Sequence, residues 1–544
     1  MPLKLFRHLL GRTQSDVLPG MVPNPAGGAA YPVDNWMRLD RFLVLGSEGG
    51  SYYAGERELT RENASAVLDC LAEDGQRVVK RVVQISQAGR APKNDPAIFV
   101  LALAASVEDE ATRRAALGAL RQVCRTGTHL FQFAGAVNAM RGWGRALRRA
   151  VADWYLDRPV DSLAYQAVKY RQREGWTHRD LLRLAHPKAG EGDEARGVLF
   201  DWICGREADL SALPAIVRAA EEVKTLETPD AVAALIREAG LPREAVPTEW
   251  MQERAVWDAM LADMPMTAMI RTLNRMTAVG LIAPMSDAAR YVGSRISDPV
   301  ALEKARIHPL ALLIAHATYA SGRGLRGSLT WEPVRDVVDA LDEAFYKAFE
   351  VVEPSGNRIL QALDVSGSMM APIAGTPLSA REASAAMALV TLATEPEVHT
   401  IGFTSAGGDE WKAPQSARFS GWTNSVSTLP ISPKQRLSDV VDTVSGLPFG
   451  GTDCALPMLY AMERGLKVDA FVVYTDSETW AGDIHPSEAL RQYREKTGIP
   501  AKLVVVGMVA NNFSIADPDD AGMLDVVGFD TATPAVIADF LRGE

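Results

Sequence analysis

The feature that most constrains this chain is a change in the period of its apolar residues at about position 355. Before that point, NASAVLDCLAEDGQRVVKRVVQISQAG, DEATRRAALGALRQVCR, DAVAALIREAG and WEPVRDVVDALDEAFYKAF place apolar side chains three and four positions apart. That spacing gathers them on one face of a helix. Gly or Pro often marks the stops. No fixed-length repeat is visible as sequence identity. Many short amphipathic helices in succession, with few strand-like runs, nevertheless predict an α-solenoid of paired helices. One irregular all-α domain is the plainer alternative.

After position 355 the apolar residues come as short runs of strand length: RILQALDV, HTIGFTSA, DAFVVYTD and AKLVVVGMV. Helical segments lie between them (REASAAMALVTLAT, LSDVVDTVSG, LPMLYAMERG, SEALRQYREK), and ATPAVIADFLRG reads as a last helix. The alternation predicts a doubly wound α/β domain, its mostly parallel sheet covered on both faces. A chain of 544 residues is too long for one core. Three segments are expected: a flexible leader over 1–28, an all-helical part over 29–354 and the α/β domain over 355–544. The leader is inferred from PGMVPNPAGGAAYP, which has too much Pro and Gly for a regular element.

In open parallel sheets, ligands bind beyond the carboxyl ends of the strands. Asp364 follows RILQAL and Asp476 follows DAFVVYT, so both carboxylates belong to that edge. FGGTDCALP brings Thr452 there, after Gly450 and Gly451, which let the backbone bend tightly. With Ser366 and Ser368 from DVSGS, the set Asp364, Ser366, Ser368, Thr452 and Asp476 is all oxygen. It suits Mg²⁺ or Mn²⁺ rather than zinc. The competing reading is a capped turn, with Asp364 or Ser366 merely satisfying N–H groups of the next helix. An open coordination position would take a partner's carboxylate or phosphate oxygen. A single ion can also support hydrolysis, so a metal-dependent hydrolase is the alternative function. No base or nucleophile with a defined role stands beside the set: His485 reads as structural, and Asp453 as a group supporting Thr452.

The net charge is −11, which disfavours a surface uniformly coated for nucleic acid but leaves room for a local basic one. Residues 141–188 hold eleven Lys or Arg against five Asp or Glu. Arg141, Arg145 and Arg148 or Arg149 recur three or four positions apart and would share a face if GRALRRAVADWY is a helix. Lys169, Arg171, Arg173, His186 and Lys188 follow, interleaved with Trp143, Tyr170 and Trp176. Guanidinium groups contact phosphates and stack on bases, and aromatic rings add platforms, as in recognition of single-stranded RNA. The alternative is a solvated helix face over core aromatics; Trp154 and Tyr155 read as core, and His178 and His186 as hydrogen bonders or caps. A second basic stretch carries Lys304, Arg306, Arg323 and Arg326, either phosphate contacts or a helix connection.

Four widely spaced cysteines form no CxxC pair, which fits a reducing compartment and argues against a disulfide framework. No run approaches the apolar length of a membrane span. MPLKLFRHLLGRTQSD lacks a signal peptide's pattern, so a cytoplasmic protein is expected.

LDVSGSM, GGTDCALPM and YTDSETWAG resemble the metal motif of von Willebrand factor A domains, whose site binds ligands through a divalent ion. The whole chain from about Asn35 resembles the Ro 60 kDa (TROVE-domain) family and its bacterial members. RLDRFLVLGSEGGSYYAGERELTRENA, CRTGTHLFQF, VKYRQREGWTHRDLLRLAHPK, MPMTAMIRTLNRMT and GRGLRG carry that resemblance in the helical part. The resemblance implies an α-helical HEAT-like repeat ring plus an α/β doubly wound von Willebrand factor A domain that bridges the ring's ends. It implies a non-catalytic, monomeric RNA-binding protein, holding Y-type small RNA on the outer ring surface and single-stranded 3′ ends of misfolded or immature RNA in the central cavity. Bacterial members are similar to adaptors for polynucleotide phosphorylase or another exoribonuclease in RNA quality control, and are linked to survival of stress. Lys169, Arg173 and His186 fall in the segment that resembles the Y RNA surface, and Arg141, Arg145, Arg148 and Arg149 in the adjoining basic helix. The five metal positions match the family without departure.

Overall fold

The computed structural model describes residues 13–45 and 56–543, apart from 92, 174, 207, 306, 308, 325–327, 348–353, 372–378, 405–407, 409, 414–423, 448–449, 509–512 and 528–532. From Asn35–Leu45 to Arg335–Lys347 the regular elements are almost all helices. One apolar cluster runs through them from Leu39 to Ala344, with Trp154, Tyr155, Phe131 and Trp257 fully or almost fully buried. Most of these helices present an apolar stripe to their neighbours, and the stack shares a continuous core, as repeat proteins do. Local signals set the boundaries. The helix His178–Ala185 begins with a capping box between Thr177 and Asp180 and ends at His186 in the left-handed conformation.

The α/β domain has a seven-stranded sheet in the order Met523–Val527, Lys502–Gly507, Ala470–Thr475, Arg358–Asp364, Glu397–Thr404, Ser425–Thr428 and Trp411–Lys412. The first five run parallel, and the last two are antiparallel additions at one edge. Side chains alternate between two cores: Ile359 and Leu363 enter one with the helix Ala380–Thr394, and Leu360 and Ala362 the other with Leu456–Arg464.

This domain joins both ends of the helical series. Leu313 and Phe345, from the last helices, lie in one of its cores, and Arg436 pairs with Asp339 at 2.7 Å. At the other end the first helix, Asn35–Leu45, packs on the strand Met523–Val527. The result is a HEAT-like ring completed by the α/β domain. Among the described residues no helix is long and apolar enough to cross a membrane. All four cysteines are free and buried.

The expected flexible leader needs correction for its described part. Residues Val22–Pro23 and Ala29–Pro32 form strands, and the second pairs with Phe513–Ser514 of the α/β domain. Gln14 and Asn24 are buried there. Gly and Pro rule out a long regular element, but they do not prevent a chain from being fixed by contacts far away in sequence. Residues 1–12 lie outside the described residues.

Candidate functional site

The strand Arg358–Asp364 ends on Asp364, and Asp476 follows the strand Ala470–Thr475 directly beside it. Asp364, Ser366, Ser368, Thr452 and Asp476 are all buried. Asp364 Oδ1 accepts the Ser366 N–H at 2.9 Å, and its Oδ2 accepts the Thr475 hydroxyl at 2.7 Å. The Ser366 and Ser368 hydroxyls meet at 2.9 Å. Asp476 Oδ1 accepts the Glu478 N–H at 2.9 Å. Thr452 is anchored by its carbonyl, which accepts the N–H groups of Trp480 and Ala481 at 3.0 and 2.9 Å. Two residues on, Cys454 Sγ lies 3.6 Å from Thr475 Oγ1, so the Thr452 loop abuts the Asp476 loop.

The capped-turn reading is met only as a turn: Asp364 takes the Ser366 N–H, which precedes the short helix Gly367–Met370, and that helix has no side-chain cap hydrogen bond. That reading does not account for the electrostatics. Burial raises the carboxyls of both Asp364 and Asp476 above the usual range, and the charge of Asp364 raises Asp476 further. Two buried carboxylates beside a belt of hydroxyls would be stabilised by a bound cation. The donor set fits a hard divalent ion, with oxygen ligands only. Among the described residues no three His, Cys, Asp or Glu side chains converge as a metal cluster, and the candidate set has only two carboxylates.

Two contributors escape a reading of the sequence. Thr475 holds Asp364 in place, as above. Arg381, 2% exposed, donates to the carbonyls of Val365 and Ser366 at 2.5 and 3.0 Å and so fixes the loop bearing the serines. The signal was an arginine in the first turn of a mostly apolar helix, where the helix dipole disfavours it. The two groups weighed as catalytic serve elsewhere. Asp453 accepts from Gln14, Asn424 and the Ala455 N–H, and His485 Nε2 meets the Asp16 carbonyl at 2.9 Å.

The basic segment divides. Arg141 is not on the helix Arg145–Leu156: Gly142, at φ 81°, breaks the chain between them. Arg141 is pinned instead to the Ser106 carbonyl and Glu108, both at 3.1 Å. Arg171 pairs loosely with Glu221, at 3.9 Å. Arg145, Arg148, Arg149, His186 and Lys188 are exposed. Trp143 and Trp176 are half-buried against the helical core, with ring centroids 6.0 Å apart.

Lys169 and Arg173 line a cavity of about 780 Å³. Its walls come from residues 85–91, 94–97, 125–129, 165–173, 236–244, 259–272 and 305, all in the helical part of the chain. Arg125, Lys169, Arg173, Arg243 and Arg271 face it, against Glu244 and Asp263. Lys169 Nζ sits 5.4 and 5.5 Å from the ring centroids of Tyr165 and Tyr170. Burial pulls its ammonium down, but the two tyrosines and Glu244 outweigh that, so the net shift is upward and the charge is kept. In the second basic stretch Lys304 ends the helix Pro299–Lys304 and Arg323 bridges to Thr330, a helix connection; Arg306 and Arg326 lie outside the described residues.

A helical ring completed by a von Willebrand factor A-type domain defines the class of protein, and the comparisons agree. The TROVE domain model matches residues 22–213 and 240–319, and the Ro60 vWA domain model matches 358–541. The chain belongs to the Ro60 family. It is 43% identical to the RNA-binding protein RO60 of Deinococcus radiodurans, over 98% of each chain. It is 37% identical to the RNA-binding protein RO60 of Caenorhabditis elegans, over 98% of this chain and 92% of that one. The crystal structure of the Deinococcus radiodurans RO (RSR) protein superposes with a TM-score of 0.67 at 42% identity, covering 94% of this chain and 100% of that one.

Proposed function

We propose that this protein is a non-catalytic RNA-binding protein. The observation that carries the reading is the cavity, where five cationic side chains face two acidic ones inside a chain of net charge −11. Relatives along its whole length are RNA-binding proteins by name. The cavity takes the single-stranded 3′ end of a misfolded or immature RNA, its phosphates drawn by Arg125, Lys169, Arg173, Arg243 and Arg271 and its bases by Tyr165 and Tyr170. The exposed Arg145, Arg148, Arg149, His186 and Lys188 hold a structured Y-type small RNA on the outside. We assign Lys169 and Arg173, which the resemblance groups with His186 on the Y RNA surface, to the cavity they line. The protein acts as a monomeric cytoplasmic adaptor, presenting RNA to an exoribonuclease such as polynucleotide phosphorylase.

Asp364, Ser366, Ser368, Thr452 and Asp476 would hold Mg²⁺ or Mn²⁺ on the α/β domain. The ion would supply a Lewis-acidic docking point for an acidic group of a partner. The two groups weighed as a base for the hydrolase alternative, Asp453 and His485, are engaged with residues 14–16, which argues against that use. Crosslinking RNA to the protein in cells and sequencing it tests the reading. Recovery of small structured RNAs and of single-stranded 3′ tails is expected. RNA recovered equally with a Lys169→Glu/Arg173→Glu variant contradicts the cavity's role.

A further inference from the structure

We propose that residues 13–32 are a clasp that keeps the ring shut, and that the clasp makes a free strand end a condition for RNA to enter the cavity. This rests on the reading that the cavity takes single-stranded RNA.

The clasp is built around Gln14, which has no exposed surface. Its Nε2 donates to Asp453 Oδ1 at 2.7 Å and to the Ile484 carbonyl at 2.9 Å. Its Oε1 accepts from Thr479 Oγ1 at 2.6 Å and from the Gly482 N–H at 3.0 Å. Its backbone N–H and carbonyl are used as well, by Gly482 and Ala29. Asn24 donates to the Thr479 carbonyl at 2.8 Å and accepts the Gly28 N–H at 2.9 Å. Gly28 passes so close that an added Cβ would lie 1.8 Å from the Thr479 carbonyl oxygen. Tyr31 donates to Asp517, which also takes Arg491. The side-chain bonds from Gln14, Asn24 and Tyr31 to the α/β domain join positions 439 to 486 residues apart, and the first ring helix starts a few residues later, at Asn35.

Two features make the clasp a closure that can open. The α/β domain is fastened to the last helices by chain connection and a shared apolar core. To the first helix it is fastened by the clasp and by the packing of that helix on one strand. The clasp's own apolar cluster is small, Met21, Ala29 and Tyr31, so it is held mainly by hydrogen bonds. A polar segment with little apolar burial opens more readily than the core around it. While it is shut, a strand can reach the inside of the ring only by threading an end.

The test uses the full-length protein and two probes, a linear single-stranded RNA oligonucleotide and the same sequence ligated into a circle. Cavity binding is read as the part lost in Lys169→Glu/Arg173→Glu. Wild-type protein is expected to hold the linear probe at least about tenfold more tightly than the circle. Gly28→Ala and, separately, Gln14→Ala should bring the circle to within about twofold of the linear probe while linear affinity is kept. Val17→Ala, at a side chain 55% exposed in the same segment, should keep the discrimination. Hydrogen exchange of residues 13–32 reports that the clasp has been released in the two variants. Equal binding of circle and linear probe by wild type overturns the clasp, as does continued exclusion of the circle by a variant whose clasp amides exchange freely. Failure of wild type to bind the linear probe in the cavity overturns the cavity reading instead.

Discussion

Replacing His178 with Gln should flatten the acid sensitivity of this protein. His178 begins the helix that leads to His186 and Lys188, and its ring is walled in by Phe131, Trp154 and Tyr155. Its Nδ1 meets the Tyr155 hydroxyl at 2.7 Å. Burial lowers its pKa from 6.5 to about 4. The unfolded chain then binds the proton more readily between those values, so stability is full above about pH 6.5 and is lost as pH falls towards 4. At 1.36 kcal/mol per unit, the loss reaches about 2 kcal/mol by pH 5 and about 3 kcal/mol near pH 4. His178→Gln lowers stability at neutral pH by about 1–3 kcal/mol through lost packing, but it removes this titration. His129, also lowered to about 4 by burial, acts equally in both proteins and cancels in their difference. Urea unfolding of both proteins from pH 7 to 5 reads the effect. The gap between them should narrow by about 2 kcal/mol over that range. A gap that does not change with pH would refute the assignment of a buried neutral imidazole.

Three further outcomes follow from the same structure. Mg²⁺ added to chelator-treated protein should stabilise it by about 2.7 kcal/mol at a hundredfold excess over Kd, and Asp364→Ala should abolish that response in a thermal melt. Arg381→Met should cost about 2 kcal/mol by stranding the Val365 and Ser366 carbonyls, and should weaken the Mg²⁺ response, both measurable by unfolding. Arg145→Glu/Arg148→Glu/Arg149→Glu should leave stability within about 0.5 kcal/mol, since all three are exposed, while lowering affinity for a structured small RNA in a gel-shift titration.

The fold was legible because both periods are strong. The runs ending in Asp364 and before Asp476 are strands that end where their carboxylates are needed. The antiparallel pair Ser425–Thr428 and Trp411–Lys412 was not legible, being too short to show a pattern. Arg141 was placed on the wrong element because its spacing to Arg145 suits a helix that Gly142 interrupts. That Lys169 and Arg173 share one cavity with Arg125, Arg243 and Arg271 depends on how the helices stack, which no local spacing encodes. Gln14 was invisible for a similar reason. A glutamine among Gly and Pro reads as loop until its partners, more than four hundred residues away, are brought to it.

The most direct test of the central claim is the affinity of single-stranded RNA for wild type and for Lys169→Glu/Arg173→Glu, each measured across salt concentrations. If the cavity holds the strand by its phosphates, wild-type affinity falls steeply with salt, and the variant binds at least about tenfold more weakly with a shallower slope. A folded variant that binds as tightly as wild type, with the same salt slope, contradicts the account.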